Sequence, residues 1–254
     1  MAAERITSRQ NPLVQHLHRT GTDRKYRRKS GCFLVEGDKL VGEALRWQGA
    51  PEVLVYTEGT ACPDGLPEGT RVVEVPGALM EHLSTVETPQ HLLALCRTPE
   101  LGLPQQVQPG SYLVLDGVQD PGNVGTIWRT ADAFGADGLI LLPGCADPFS
   151  PKTVRSSMGA CFRLPVWTAE LDALTQRLTE SGIPLWATAL RDDTADVRDI
   201  SLRGTAVVIG SEGRGVSQAT LERCTGTVKI PMRDRCESLN AAVAASVVLW
   251  EMAR

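Results

Sequence analysis

The chain contains 254 residues, 42% of them hydrophobic, and has a formal net charge of −4. This length fits one large domain or two smaller ones, and the apolar content suffices for a hydrophobic core. The sequence has no apolar run long enough to cross a membrane and no export signal, so we expect a soluble cytoplasmic protein. The seven cysteines form no zinc-spaced cluster, so we expect reduced thiols and no metal.

Residues 1–30 are predicted to form a basic N-terminal arm with a short helix over residues 11–18. The arm carries eight Lys and Arg residues against two acidic residues, a local net charge of +6. Such a segment is typical of a tail that contacts nucleic-acid phosphates, and equally of a solubilising disordered terminus. Under the first interpretation, the predicted contacts are Arg24, Lys25, Arg27, Arg28 and Lys29.

Residues 31–97 are predicted to form a small α/β domain, followed by a linker over residues 98–110. The linker prediction depends on its three prolines and two glycines. The helix after the first strand is amphipathic, which indicates that one face packs on a sheet. The predicted strands are 31–36, 53–56, 71–75 and 90–96, and the predicted helices are 37–47 and 76–83.

Residues 111–254 alternate regularly between predicted strands and helices. This alternation predicts a parallel sheet with helices on both faces. The predicted strands are 112–115, 139–142, 164–166, 185–189, 205–209 and 228–230. The predicted helices are 123–134, 152–158, 170–181, 216–224 and 241–254, the last with Ser238 as its N-cap.

The second domain lacks the residues that several kinds of catalysis need. All four histidines precede the linker, which excludes a histidine base and a Ser/His or Cys/His pair within this domain. The glycines of the loop 210–215 are in the wrong order for a dinucleotide-binding or Walker loop. Glu212 in that loop would repel a phosphate and would suit a cationic or neutral ligand better, although a solvent-facing turn glutamate is the alternative.

Three segments of this domain together resemble the signature motifs of the SpoU family of RNA ribose 2′-O-methyltransferases, in the SPOUT superfamily. The segments are LDGVQDPGNVGTIWRTA (115–131), VVIGSEGRGV (207–216) and TVKIPMRDRCESLN (227–240). Their internal spacings agree with the family as well. Asn123 precedes Arg129 by six residues, Gly210 precedes Ile230 by twenty, and Ile230 precedes Leu239 by nine.

The resemblance implies a fold, a cofactor and an assembly. It implies a C-terminal SPOUT domain with a deep trefoil knot that binds S-adenosylmethionine, and a homodimer formed through this domain. The cofactor would contact backbone groups at Gly210, Ile230 and Leu239, together with Ser238. The positions that match the functional residues of the family are Asn123, Arg129, Glu212, Ser238 and Asn240.

Arg129 is the residue that the resemblance associates most closely with the reaction at the ribose 2′-hydroxyl. The family proposal makes this arginine a base, but a guanidinium stays protonated in proteins. We therefore hypothesise that Arg129 binds the phosphate and the hydroxyl and stabilises the developing alkoxide. We expect Asn123 to cap the helix that carries Arg129, and Glu212 and Asn240 to orient the loop and the arginine.

The first domain resembles the substrate-binding domain of rRNA-directed members, whose fold is like that of a ribosomal RNA-binding protein. The match is FLVEG (33–37) followed by an amphipathic helix. A further segment that resembles the family, 150–159, contains Lys152 and Arg155, which either contact RNA phosphates or are ordinary surface charges. The resemblance favours a 23S rRNA 2′-O-methyltransferase. The alternatives are a tRNA methyltransferase, a non-catalytic RNA-binding or assembly protein and, against the glycine order, a nicotinamide-dependent oxidoreductase.

Overall fold

The computed structural model of the protein describes residues 3–47, 49–191, 194–233, 235 and 238–254. Within the predicted motif at 227–240, Asp234, Cys236 and Glu237 lie outside the described residues. The chain divides into two compact units. The first comprises Met1–Pro99 and Phe149–Phe162, and the second comprises Glu100–Pro148 and Arg163–Arg254.

The elements follow the predicted alternation, with bounds shifted by a few residues. The strands are β1 (Glu4–Arg5), β2 (Cys32–Glu36), β3 (Pro51–Thr57), β4 (Arg71–Val75), β5 (Leu92–Arg97), β6 (Tyr112–Asp116), β7 (Gly138–Leu141), β8 (Val166–Thr168), β9 (Leu185–Thr188), β10 (Ala195–Asp196), β11 (Ala206–Gly210) and β12 (Gly226–Lys229). The helices are α1 (Pro12–Thr22), α2 (Arg24–Ser30), α3 (Asp38–Arg46), α4 (Gly77–Leu83), α5 (Pro121–Ala133), α6 (Pro151–Ser157), α7 (Leu171–Glu180), α8 (Gln218–Leu221) and α9 (Ala241–Ala253). No α-helix in the described ranges has the length and apolar content that crossing a bilayer requires.

The first unit is built on a mixed sheet in the order β1-β4-β3-β5-β2. Strands β1, β4 and β3 are parallel to one another, and β5 is antiparallel to both β3 and β2. Helices α1 and α4 contribute Leu17, Leu79 and Met80 to a core that also contains Val55 and Val73 of the sheet. The small α/β domain predicted for this region is therefore present, and it includes more of the chain than predicted.

The first thirty residues are not an arm, which corrects the sequence-based expectation. Strand β1 pairs with β4, and the amide of Ile6 donates to the carbonyl of Glu74 at 3.0 Å. Asn11 caps α1 and Asp23 caps α2, a helix that the sequence analysis missed because its residues are nearly all polar. This basic segment is therefore folded into the first unit.

Arg27 is a structural residue, so the prediction that it contacts nucleic acid is wrong. Its exposed fraction is 5%, and its Nη1 donates to the carbonyl of Thr20 at 2.6 Å and to that of Gly21 at 3.4 Å. These carbonyls belong to the last turn of α1, where no helical amide remains to satisfy them. The other four predicted contacts are exposed: Arg24, Lys25, Arg28 and Lys29.

Most of the predicted linker packs onto the second unit instead of spanning open space. The carbonyl of Leu101 accepts from the amide of Thr168 at 2.7 Å, and the carbonyl of Val107 accepts from the hydroxyl of Ser181 at 2.7 Å. Val107 itself is buried, with 2% of its surface exposed. The chain passes from one unit to the other at residues 99 and 100, near the start of the predicted linker.

The second unit contains a parallel sheet in the order β10-β12-β9-β11-β6-β7-β8. Leu174 and Leu178 of α7 pack on one face of this sheet with Val114 and Val208. The alternate strand residues face the opposite side, where α5 packs against β7 and α9 against β11. The predicted parallel sheet with helices on both faces is confirmed. Strand β6 comes first in this unit yet lies inside the sheet, so the strand order reverses between β6 and β11.

Replacing Arg27 should destabilise the protein far more than replacing its neighbour. In Arg27→Ala, the carbonyls of Thr20 and Gly21 lose a charged donor in a buried place, which should cost roughly 1.5–3 kcal/mol. The matched control Arg28→Ala removes an exposed charge from the same helix and should change stability by less than about 0.5 kcal/mol. Urea unfolding followed by circular dichroism measures both, and equal midpoints for the two variants would contradict the structural role of Arg27.

Candidate functional site

Two of the three motif segments, 207–216 and 227–240, line one cavity at the carboxyl edge of the sheet in the second unit. Its volume is about 320 Å³, and Gly210, Ile230 and Leu239 all contribute to its wall, as do Glu212 and Ser238. The wall is formed by the ends of β9, β11 and β12, the loops that follow them and the first turns of α9. Ligands of open parallel sheets bind in this place, beyond the carboxyl ends of strands near a reversal of strand order.

Gly210 ends β11 at a point where the backbone folds closely back on itself. A Cβ atom at this position would lie 2.0 Å from the carbonyl carbon of Gly215 and 2.1 Å from the amide nitrogen of Val216. The intervening loop is closed by two hydrogen bonds between Ser211 and Gly215, of 3.1 and 2.9 Å. Only a residue without a side chain fits here, and the loop holds Glu212 beside the cavity.

A chain of side-chain hydrogen bonds joins the three motifs. The Nδ2 of Asn240 donates to the Oδ1 of Asn123 at 3.2 Å, and the Nδ2 of Asn123 donates to the Oε1 of Glu212. The Oδ1 of Asn240 accepts from the amides of Ala242 and Val243, at 2.9 and 3.3 Å. Because these backbone amides can only donate, they require the Oδ1 of Asn240 to face them. This orientation fixes which atom donates and which accepts in each of the hydrogen bonds that follow.

Two predicted helix caps are wrong. Helix α9 is capped by Asn240, two residues after Ser238, which lines the cavity instead. Helix α5 is capped by Asp120, whose Oδ1 accepts from the amide of Asn123 at 2.8 Å. Pro121 occupies the first helical position, where its fixed φ and missing N–H carry no penalty. Asn123 therefore lies inside the first turn, with its side chain free to bind Glu212.

Arg129 lies on α5, six residues after Asn123 and so about 9 Å further along the helix axis. Its side chain is exposed and forms no hydrogen bond or ion pair with the part of the chain that the structure describes. It does not line the cavity, so the structure places it on the same helix as the hydrogen-bond chain but outside that chain. Its guanidinium is available to a ligand that approaches from solvent.

Two predicted cations lie outside the second unit altogether. Lys152 and Arg155 are exposed residues of α6, which belongs to the first unit. The exposed basic residues of α2 belong to the first unit as well. The structure therefore brings together the candidate residues around Gly210 and Glu212, and places every predicted RNA-binding cation in the other unit.

The sequence analysis missed the contribution of the β9 end to the cavity. Thr188 and Leu190, at and just after the end of β9, line it, and 64% of the Leu190 surface is exposed. The sequence did place Thr188 at the carboxyl end of a predicted parallel strand, which is where ligands of such sheets bind. That this strand lies next to the one ending at Gly210 is seen only in the structure. Leu190 is an apolar side chain that a bound ligand would cover.

Among its described residues, the wall of the cavity contains no cysteine or histidine, and the thiols of Cys145 and Cys224 lie outside it. Burial raises the pKa of Cys145 to about 11 and, together with the charge of Asp116, raises the pKa of Cys224 to about 11, so both thiols stay protonated at neutral pH. Among the described residues, no group of three or more potential metal ligands is placed to bind an ion. The charged residues of the wall are Glu212 and Lys229, and much of the remainder is apolar or backbone. Such a wall suits a largely apolar ligand that also carries polar or charged groups, since it offers one carboxylate and one ammonium.

Comparisons with known proteins find relatives over the whole length of the chain. Residues 110–250 match the SpoU rRNA Methylase family, and residues 11–94 match the MRM3-like substrate binding domain. The chain is 34% identical to the 23S rRNA (guanosine(2553)-2′-O)-methyltransferase RlmP of Bacillus subtilis, over 98% of this chain and 99% of that protein. The AdoMet-bound rRNA methyltransferase of Sinorhizobium meliloti is similar in structure, with a TM-score of 0.87, 30% identity and coverage of 98% and 97% of the two chains. The structure of the SpoU methyltransferase AviRb of Streptomyces viridochromogenes in complex with AdoMet is also similar, with a TM-score of 0.87 and 29% identity. The match covers 96% of this chain and 98% of that chain.

Substituting Gly210 should disrupt the loop that holds Glu212. In Gly210→Ala, the added Cβ overlaps the backbone of Gly215 and Val216, which cannot rotate away, and the cost should be about 1–3 kcal/mol. The matched control is Gly213→Ala in the same loop, where a Cβ would meet nothing within 4 Å. Thermal unfolding measures both variants, and a melting temperature of Gly210→Ala equal to that of Gly213→Ala would show that the loop is not constrained in this way.

Proposed function

The chain belongs to the SpoU rRNA methylase family, and we propose that it transfers a methyl group from S-adenosylmethionine to a ribose 2′-hydroxyl of 23S rRNA. The observation that carries this proposal is the cavity shared by Gly210, Ile230 and Leu239, tied to Asn123 through Glu212. The match of the first unit to a substrate-binding domain supports rRNA over tRNA as the substrate. We also propose that it acts in the cytoplasm, on the model of its bacterial relatives.

The residues around the cavity fit S-adenosylmethionine. We propose that backbone groups at Gly210, Ile230 and Leu239 bind its adenosine moiety, with the exposed side chain of Leu190 covering the base. Glu212 provides a negative charge for the sulfonium, and Ser238 provides a hydroxyl in the wall of the same cavity. The bound cofactor supplies an electrophilic methyl group, which explains why the site needs no nucleophile of its own.

Arg129 is proposed to act on the ribose and its neighbouring phosphate. A guanidinium has five donors and no acceptor, so it can bind a phosphate and the 2′-oxygen together but cannot remove a proton. As the hydroxyl proton passes to solvent, Arg129 stabilises the negative charge that develops on the 2′-oxygen. This oxygen would then bond to the methyl carbon as the bond from that carbon to the sulfonium sulfur breaks, and S-adenosylhomocysteine would leave. Asn123, Asn240 and Glu212 hold the first turn of the same helix in place.

We propose that the protein is a homodimer formed through its second unit, whose C-terminal segment forms the trefoil knot of the family. Helix α9 exposes 50% of Val243 and 56% of Trp250, two large apolar residues seven positions apart and so on the same face. The ring of Trp250 lies 5.7 Å from that of Phe134, which extends this apolar surface. A second copy that covers the surface would also approach α5, the helix that carries Arg129.

Removing the guanidinium should abolish the chemistry and leave cofactor binding intact. For Arg129→Ala, we expect kcat to fall on the order of 100-fold or more, with an unchanged Kd for S-adenosylmethionine because Arg129 does not line the cavity. Arg129→Lys should not restore the rate, since an ammonium lacks the planar pair of donors. Transfer of labelled methyl groups to a 23S rRNA transcript and calorimetry with the cofactor test this, and full methylation by Arg129→Ala would refute the assignment.

A charge placed on the apolar surface of α9 should dissociate the dimer. Val243→Glu puts a carboxylate where the second copy would exclude water, and the dimer should weaken by about 2 kcal/mol or more. The matched control Ala173→Glu adds the same charge at an exposed position of α7. Sedimentation velocity distinguishes the outcomes: a monomeric wild type, or an unaffected Val243→Glu dimer, contradicts the proposed interface.

A further inference from the structure

A second cavity, in the first unit, has no role in the function proposed so far. Its volume is about 850 Å³, more than twice the 320 Å³ of the cavity at the motif loops. Its walls come from the end of β2, the start of α3, the loop at residues 85–90 and α6. All of these segments belong to the first unit.

Hydrogen bonds hold one wall of this cavity, the loop at residues 85–90, against the sheet. The carboxylate of Glu36, at the end of β2, accepts from the hydroxyl of Ser84 at 2.5 Å, the amide of Thr85 at 3.1 Å and the amide of Gln90 at 3.3 Å. These bonds attach both ends of the loop at 85–90 to the sheet. The charge of Glu36 is therefore satisfied internally, and the cavity does not depend on loop closure.

Met158 lines this cavity in a backbone conformation that methionine rarely adopts. Its φ of 51° and ψ of 38° are left-handed, and among the described residues no other non-glycine residue has a positive φ. Met158 ends α6, and the left-handed residue at the end of a helix is usually glycine because a side chain there is strained. Glycine would relieve the strain, so the methionine side chain itself is the feature that needs an explanation.

The charges at the cavity are only partly satisfied. The Oδ1 of Asp38 lies 3.1 Å from the Nε2 of His91, but the exposed side chains of Lys39, Arg155 and Glu87 form no hydrogen bond or ion pair with the described residues. These three groups surround walls made of apolar side chains. Those side chains are Leu34, Leu40, Val86, Val154 and Met158.

We propose that this cavity binds one unpaired nucleotide of the RNA substrate, an inference that rests on the proposed function. The apolar walls cover the faces of the base, and Lys39 and Arg155 bind the phosphates on either side of it. Glu87 accepts a hydrogen bond from an exocyclic amino group, which favours cytosine, adenine or guanine over uracil. The base must be unpaired, since base edges within an A-form duplex do not reach into such a cavity.

The test measures binding of a full-length 23S rRNA transcript to the intact protein over a range of salt concentrations. Lys39→Gln combined with Arg155→Gln should flatten the slope of log K against log salt by roughly 0.7 for each phosphate that the protein no longer neutralises. Met158→Gly should weaken binding on the order of tenfold because no apolar side chain then covers the base from this wall, with a melting temperature no lower than that of the wild type. The matched controls are Met158→Leu, which keeps an apolar side chain, and Arg46→Gln, which removes a charge at the far end of α3.

Each outcome decides between the subsite and its alternatives. An unchanged salt slope in the double variant, or full affinity in Met158→Gly, overturns the proposal. Ultraviolet crosslinking of the unsubstituted transcript, which reports on every base, should give crosslinks within residues 34–40, 85–90 or 151–158. Crosslinks confined to other segments also overturn the proposal and leave a protein segment as the better occupant. Methyl transfer by the wild type is scored separately, so a failure of the proposed function is seen even when RNA binding follows the prediction.

Discussion

Two asparagine side chains hold the candidate active site together. Asn123 is separated from Glu212 by 89 residues and from Asn240 by 117, yet one chain of hydrogen bonds connects all three. An amide can serve this purpose because it donates at one end and accepts at the other, so it transmits direction from one partner to the next. The backbone amides at the start of α9 are the first donors in this series of hydrogen bonds, and the carboxylate of Glu212 is the last acceptor. A helix start, a glycine loop and the C-terminal segment thus become one site.

The sequence was sufficient to predict the order of the elements and the three converging segments, but not the local capping. Alternation of apolar runs specifies strands in a parallel sheet regardless of their partners. A helix cap depends on which of several nearby polar residues has the right φ and ψ, and both Asp120 and Asn240 had a plausible competitor two or three residues away. The motif residues were placed by resemblance, whereas the β9 residues such as Leu190 required the strand order.

Charge patterns were the least informative feature, because a charged residue is exposed or buried according to the fold around it. Arg27 looks like its neighbours Arg28 and Lys29 in the sequence, and only the ending of α1 beside it explains its burial. The same holds for the predicted linker, whose prolines and glycines are compatible with an ordered segment as well as with an extended one. Met158 carried no signal at all, since its left-handed backbone follows from the turn that ends α6.

The passage of the segment at 149–162 through the first unit has a consequence for dissecting this protein. In this segment, the ring centroid of Phe149 lies 4.6 Å from that of Phe33 in the first unit. The residues that flank the segment on both sides belong to the second unit. Neither unit is therefore a continuous stretch of chain. A fragment that begins after Pro99 would retain this segment without its packing partners in the first unit. A fragment that ends at Pro99 would lack the segment that packs against β2. Swapping substrate-recognition modules between relatives would require transplanting two pieces of sequence together.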